Sequence, residues 1–553
     1  VTRTLSRRTF ATGSRITALL LALALVATAC GGSGDKTSAG DDSTQAGADG
    51  GTPVPGGSLT YGIEAETSGG WCLPEANLAL AGIQVARAVY DTLTLPNADG
   101  EYVPYLSKSV TPNATFDEWT IELRDGVKFQ DGTDLTAEVV KNNIDAFRGT
   151  YPARAPLLFA FVYENVDRVE VAGPLTVKVT TKTPWPAFPA YLYANGRMGI
   201  MAQAQLDDTQ HCDTNMIGTG PFAKKEGKVN DHLTVVRNAE YWNQPYPYLD
   251  SIEFHPIPDP NQRMNSLQGG DLDLISTNQA LDIDTLRGLA ESGDVNLVEG
   301  SEYAEVAYLM LNSGKPPFDN ILARRALAYA IDRNALREAL TKNVLTNASG
   351  PFAPGSMGYL EDAGFPEFDL AKAKELVAQY EKETGLPLEF TITNNADSSS
   401  QATSQMWKEM AEKAGMKVDL KMVEQGAEID DAIAGNYDTD LWRNHPGGDP
   451  DLQYVWWHGG SVVNFGKFAD PEIDRLLEAG RIETDPAERT KIYEDVNRRF
   501  ADQVWNIWSQ WTLWVLASDP SVHGVMGPDL PDGSKPFPGL ADGHQLTGLW
   551  LEQ

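Results

Sequence analysis

The chain has 553 residues, with 77 acidic side chains against 44 lysines and arginines and a formal charge of −33. That balance excludes a nucleic-acid binder working by phosphate neutralisation, and it sets the body against anionic lipid. The length allows a large core and more than one domain.

The N-terminal stretch decides how the rest is read. Ser6-Arg7-Arg8-Thr9-Phe10 precedes an apolar run from Ile16 to Ala29, and Cys30 follows at once. The run is shorter than the roughly 20 residues of a spanning helix. A charged front, an apolar middle and a small-residue end mark an export signal over 1–29, and the arginine pair is similar to a twin-arginine signal. Ala27-Thr28-Ala29-Cys30 resembles a bacterial lipobox. That resemblance implies cleavage before Cys30, its lipidation, and a mature protein held outside the cytoplasm on the cell membrane by acyl chains alone. A plain secretory signal is the alternative. Cleavage removes Arg3, Arg7, Arg8 and Arg15 and no acid, so the mature chain is more acidic still. Residues 30–56 hold Gly, Ser, Thr, Asp and Ala with little to bury, so a disordered linker is expected. Such a linker spans about 28 Å root-mean-square. With Cys30 lipidated, Cys72 and Cys212 form an even pair, read in an oxidising compartment as a disulfide; two separately buried thiols are the alternative.

From Ser58 the elements follow in order. Ser58–Ile63 alternates as a strand, and Ala81–Leu93 carries apolar residues at helical spacing. Ala114–Leu123 is a second strand. Asp125-Gly126 and Asp131-Gly132 flank Val127-Lys128-Phe129 as turns. A helix over 138–147 is N-capped by Thr136. Gly218-Thr219-Gly220-Pro221 makes a sharp reversal, and Ala326–Leu340 reads as one helix with an apolar stripe. Val504–Leu516, with Trp505, Trp508, Trp511 and Trp514, is rich in strand formers.

Several of these stretches, taken together, resemble the family 5 extracellular solute-binding proteins of ABC importers. They are Trp119-Thr120-Ile121-Glu122-Leu123-Arg124-Asp125-Gly126-Val127-Lys128-Phe129-x-Asp131-Gly132, Gly218-Thr219-Gly220-Pro221-Phe222, Asn238-x-x-Tyr241-Trp242, Gly270-Asp271-Leu272-Asp273, Arg325-Ala326-Leu327-Ala328-Tyr329-Ala330-Ile331-Asp332-Arg333 and Gly448-Asp449-Pro450-Asp451. The resemblance implies an α/β, two-lobed periplasmic-binding-protein-like fold with an extra domain inserted in the first lobe. Lobe I would take 57–95, 213–305 and 505–553, the inserted domain 96–212, and lobe II 306–504. The Gly-Thr-Gly-Pro turn would mark the return from the insertion, where a Cys72–Cys212 bond could brace the crossing.

The resemblance also places the ligand. Leu441-Trp442-Arg443-Asn444-His445 leads into Pro446-Gly447-Gly448, and in peptide-binding relatives this strand pairs with the ligand backbone. An aspartate three residues beyond the tryptophan there holds the ligand amine; His445 stands in that place here, and a neutral imidazole is a weak partner for an ammonium. Arg443 beside it could favour a carboxylate or phosphate. A solvated or hydrogen-bonded role is the alternative for His445. Asp449 joins the expected site, although Asp449 and Asp451 also suit helix capping or, in a secreted hydrolase, an acid–base pair. Asn464 in a Gly-bounded loop, Trp511 as an aromatic wall, Trp71 and Tyr303 at cleft edges, and Trp456 or Trp457 complete the candidates.

No metal-ligand set, Walker loop or nucleophile elbow occurs, so neither a cofactor nor catalysis is expected. The expected partners are a small-molecule or peptide ligand and an ABC permease, with no nucleic acid, and the protein is expected to be a monomer. A surface-anchored hydrolase and a sensory binding module are the rival readings.

Overall fold

Strand β1 (Ser58–Ile63) buries Leu59, Tyr61 and Ile63 and forms parallel pairs with Ser251–Pro256 on one side and Leu274–Thr277 on the other. The computed structural model describes residues 51–67, 70–445 and 447–552. The expected export signal, Cys30 and most of the expected linker lie outside them. Around β1 runs a seven-stranded sheet in the order 296–300, 514–518, 274–277, β1, 251–256, 232–237, 222–228. A four-stranded antiparallel sheet lies in the 107–181 stretch, ordered 107–112, 118–123, 176–181, 166–173. There Trp119, Ile121 and Leu123 point inward while Glu122 is exposed, the period-two pattern of a half-buried strand.

The second large sheet has six strands. Its middle is β2 (Val306–Leu311), paired antiparallel with β3 (Thr439–Asn444) on one side and β4 (Asn506–Trp511) on the other. The fold is α/β, with helices packed on the sheets. One correction follows from the pairing. Residues 506–511, expected in the first lobe, hydrogen-bond in the sheet of 306–504, and the chain returns to the first sheet only at Trp514. A run of strand formers says that a strand is present but not which neighbour it takes.

The first helix, α1 (Leu80–Val89), ends against the reversal at 218–221. A side chain on Gly218 would meet the Val89 carbonyl at 2.0 Å, and one on Gly220 would meet it at 2.6 Å. Gly220 N–H donates to that same carbonyl at 2.9 Å. Only glycine permits the approach. Cys72 and Cys212 are joined by a disulfide, with Cα atoms 5.0 Å apart. Buried Asp91 gathers three donors from two of the sequence motifs: Trp242 Nε1 at 2.8 Å, Thr219 Oγ1 at 3.0 Å and Tyr241 OH at 3.2 Å. Burial pushes its carboxyl up to about 6, against the pull of those donors.

The expected helix over 326–340 is two helices, Ile321–Ala330 and Arg333–Thr341. Between them Ile331 is extended, and the Asp332 carboxylate accepts from Ala335 N–H at 3.0 Å, which starts the second helix. Capping therefore overrides the continuous apolar stripe. Thr136 caps the 137–147 helix through Val139 N–H.

The stretch around Trp185 is clamped to the second-sheet region by Asp451. Its fully buried carboxylate accepts from Trp185 Nε1 at 2.8 Å and from Arg481 Nε at 3.1 Å, while the Arg481 guanidinium lies 3.6 Å from the centre of the Tyr454 ring. Removing the acid leaves a buried guanidinium without its counter-charge. Asp451→Ala should cost about 3–5 kcal/mol of unfolding free energy in urea, and a loss under about 1 kcal/mol would contradict this assignment.

Candidate functional site

The chain crosses between the two large sheets twice. One crossing runs from Gly300 to Val306, the other from Trp511 to Trp514. Thr512 N–H donates to the Glu305 carbonyl at 2.8 Å, so the crossings are tied together. Beside them lies a cavity of about 170 Å³, lined by the end of β1, the start of α1, the facing strands β2 and β3, and α2 (Gln425–Ala434).

Arg443 of β3 stands at the seam. Its Nη2 lies 3.2 Å from Glu64 Oε1, just beyond β1, and its Nη1 lies 3.7 Å from Glu305 Oε2 on the crossing. The guanidinium also sits 5.2 Å over the Trp514 ring, and Trp514 Nε1 donates to Glu305 at 3.0 Å. Burial works against the Arg443 cation, but Glu64 and Glu305 outweigh it and hold the proton more tightly than usual. Glu305 is pushed up by burial, partly offset by Arg443. The expectation that Arg443 favours an anionic ligand therefore meets a guanidinium already balanced by two carboxylates.

Trp442, Arg443, Asn444 and His445 all line the cavity. Trp442 packs edge-on against Phe465 (5.6 Å between ring centres), and Trp456 packs against the same ring at 5.6 Å, so the aromatic wall is Trp442, Phe465 and Trp456. Burial pushes His445 below its usual range, leaving a neutral imidazole; Asp542 pulls it upward and Arg197 downward. Arg197 also lines the cavity. Its Nε donates to the Leu78 carbonyl at 3.1 Å, and burial brings it down to about 10.

Trp457 also lines the cavity, and the remaining candidates lie elsewhere. Trp511 is buried in β4, paired with Val306 and Thr346, away from the cavity. Trp71 is buried next to the disulfide, and its carbonyl accepts from Gln205. The Tyr303 hydroxyl donates to the Asp99 carbonyl, and its ring stacks on Phe537 at 5.0 Å. Asn464 is buried, donating to the Phe468 carbonyl at 2.8 Å, while its neighbours Val463 and Phe465 reach the cavity. Asp449 caps the short turn at 450–453 and is gripped by Arg489 through two bonds of 2.6 and 2.7 Å. Asp449 and Asp451 are thus each locked to an arginine, an arrangement that leaves neither carboxylate available as an acid–base pair. Among the described residues no group of three or more His, Cys, Asp or Glu could hold a metal ion. No helix among them is long and apolar enough to cross a membrane.

Sequence reasoning missed Glu64, Arg197, Glu305 and Glu428. Glu428 in α2 is buried, and with Ala432 it forms the inward face of that helix. Read along the chain, it is one more charge on an acidic, surface-type helix. Burial pushes its carboxyl up to about 7; Arg443 and Asn395 oppose that rise, and Asp397 adds to it. Asp440 of β3 faces it and is pushed up strongly, first by burial and then by Glu428 and Asp431, with Lys421 opposing.

The sequence profile described as bacterial extracellular solute-binding proteins, family 5 middle, matches residues 101–465. The glutathione-binding protein GsiB of Salmonella typhi is 28% identical over 437 residues, covering 76% of this chain and 82% of that protein. Among solved structures, AgaA of A. tumefaciens R10 in complex with agropinic acid superposes with a TM-score of 0.79 at 26% identity, covering 90% of this chain and 99% of that one. The oligopeptide-binding protein AppA of Bacillus subtilis, with a nonapeptide, gives 0.80 at 22% identity over 91% of this chain and all of the other.

Two outcomes are expected from this geometry. Trp511→Ala should cost about 3–5 kcal/mol of stability as a core truncation, with half-buried Trp442→Ala costing clearly less; equal losses in urea melts would put both in the core. A carboxyl with raised folded-state proton affinity binds extra protons between its usual 4.5 and about 7, so stability falls as pH rises through that window. Between about pH 5 and pH 8 the wild type should lose more melting temperature than Glu428→Gln, and identical losses would contradict the buried carboxyl pair.

Proposed function

Since the chain belongs to the family 5 bacterial extracellular solute-binding proteins, we propose that it captures a compact polar solute in the cavity between its two large sheets and passes it unaltered to an ABC permease. The observation that carries this reading is the cavity at the tied crossings, where elements of both sheets contribute lining side chains. At about 170 Å³ it lies below the roughly 300–1,000 Å³ of drug-sized pockets, which favours a small solute over a long peptide. Two crossings held by Thr512 and Glu305 suit a hinge, in which ligand favours closure through contacts that the open form lacks.

His445 stands where peptide-binding relatives place an aspartate, and its neutral, buried ring argues against anchoring a free α-amine at that point. Glutathione, agropinic acid and peptides are bound by the similar proteins; each is a reasonable first compound to test here. Trp442 supplies an apolar face to such a solute. The protein works as a monomer outside the cytoplasm, tethered through lipidated Cys30. Radiolabelled palmitate should enter the wild type and be absent from Cys30→Ala.

A thermal-shift screen of the purified protein over peptides, opines, sugars and metal chelates should return at least one stabilising compound. Deleting the gene should abolish uptake of that compound, and Trp442→Ala should weaken its binding about tenfold or more. Product formed from the captured compound by the purified protein would overturn the reading.

A further inference from the structure

Three carboxylic acids (Glu64, Glu305, Glu428) and two arginines (Arg197, Arg443) line the cavity. Arg443 is taken up by Glu64 and Glu305. Glu428 has no cation within ion-pair distance among the described residues, and neither does Asp440 against it; the nearest lysine, Lys421, is bonded to Asp431 at 2.6 Å. Glu428 is 4% exposed and Asp440 fully buried. Apart from the contact between the two carboxyls themselves, no N–H or O–H donates to Oε1 of Glu428 or to either oxygen of Asp440. Two carboxyls so placed repel each other when both are ionised and share a proton in the empty site. Across the cavity, Asn195 Oδ1 is likewise buried without a partner. Glu428 Oε1 and Asn195 Oδ1 are both acceptors.

Resting on the receptor reading above, we infer that the Glu428–Asp440 pair is a seat for a cationic nitrogen of the solute, an ammonium or guanidinium, whose arrival displaces the shared proton. This places the cation on the wall formed by α2 and β3, away from His445. A charge-assisted bond to an ionised carboxylate is stronger than one to its protonated form, so the seat works only when that proton leaves. The proton goes to solvent, and no covalent bond changes.

The groups facing the pair are few. Arg443 and Asp397 act on Glu428, and Asp431 and Lys421 act on Asp440. The Tyr308 and Tyr437 hydroxyls lie near enough to Asp440 to feel its charge, and burial keeps both protonated throughout the neutral range. Burial pushes Glu428 itself up to about 7 and raises Asp440 strongly.

The test is calorimetric titration with L-arginine, agmatine and L-arginyl-glycine, each beside its uncharged counterpart: L-citrulline, N-carbamoylputrescine and L-citrullyl-glycine. At about pH 8 at least one basic probe should bind at least about tenfold more tightly than its counterpart, and its affinity should fall about tenfold for each pH unit below 7. Glu428→Gln and Asp440→Asn, each checked for a cooperative melt, should weaken that probe about tenfold or more and flatten its pH dependence. Equal binding of charged and uncharged members, undiminished binding in both variants, or no binding of any basic probe overturns the inference. Where a neutral or anionic solute still binds and is taken up, the receptor reading stands and this inference alone is lost; where no solute of any class binds, both are lost.

Discussion

The guanidinium of Arg443 is where the two large sheets meet. It belongs to β3 of the second sheet, yet its counter-charges are Glu64, at the end of the central strand of the first sheet, and Glu305, on the crossing between them. A buried cation without its partners is costly, so the ends of β1 and β3 are held at one separation. The cavity walls depend on that separation. Trp514 under the guanidinium and the Thr512 bond to the Glu305 carbonyl extend the same constraint to the second crossing.

A second constraint lies away from the cavity. Asp91 gathers Thr219, Tyr241 and Trp242, and the glycines at 218 and 220 let the reversal lie against the end of α1. Asp451 and Asp449, each gripped by an arginine, secure the stretch around Trp185 and the turn after β3. Most charged or polar residues in the sequence motifs are therefore scaffold. The cavity is lined instead by residues outside those motifs, on helix starts and strand ends. Such an arrangement suits a family in which one fold serves many solutes.

The run 441–445 was legible because a strand passing into glycines and proline is a local signal, and all five of its residues do line the cavity. Trp511 was not. The family resemblance puts it beside a loop that reaches the cleft, while its burial is set by pairing with Val306 and Thr346, far away in the chain. The break at Ile331-Asp332 was hidden by a continuous apolar stripe, and a single capping carboxylate decides it. Glu428 shows the opposite failure. Nothing local separates it from the other acids of its helix, and only the approach of β3 turns it into half of a buried pair.

By itself the sequence determined the fold class, the likeness to a solute-binding family and the stretch that forms one cavity wall, because these follow from local period, turn chemistry and ordered motifs. Only the tertiary structure decided which sheet receives residues 506–511, which charges neutralise Arg443, and that Glu428 is left facing the cavity without a cation. Those are matters of distance in space between separate elements, and Coulomb energy and desolvation depend on that distance rather than on position along the chain.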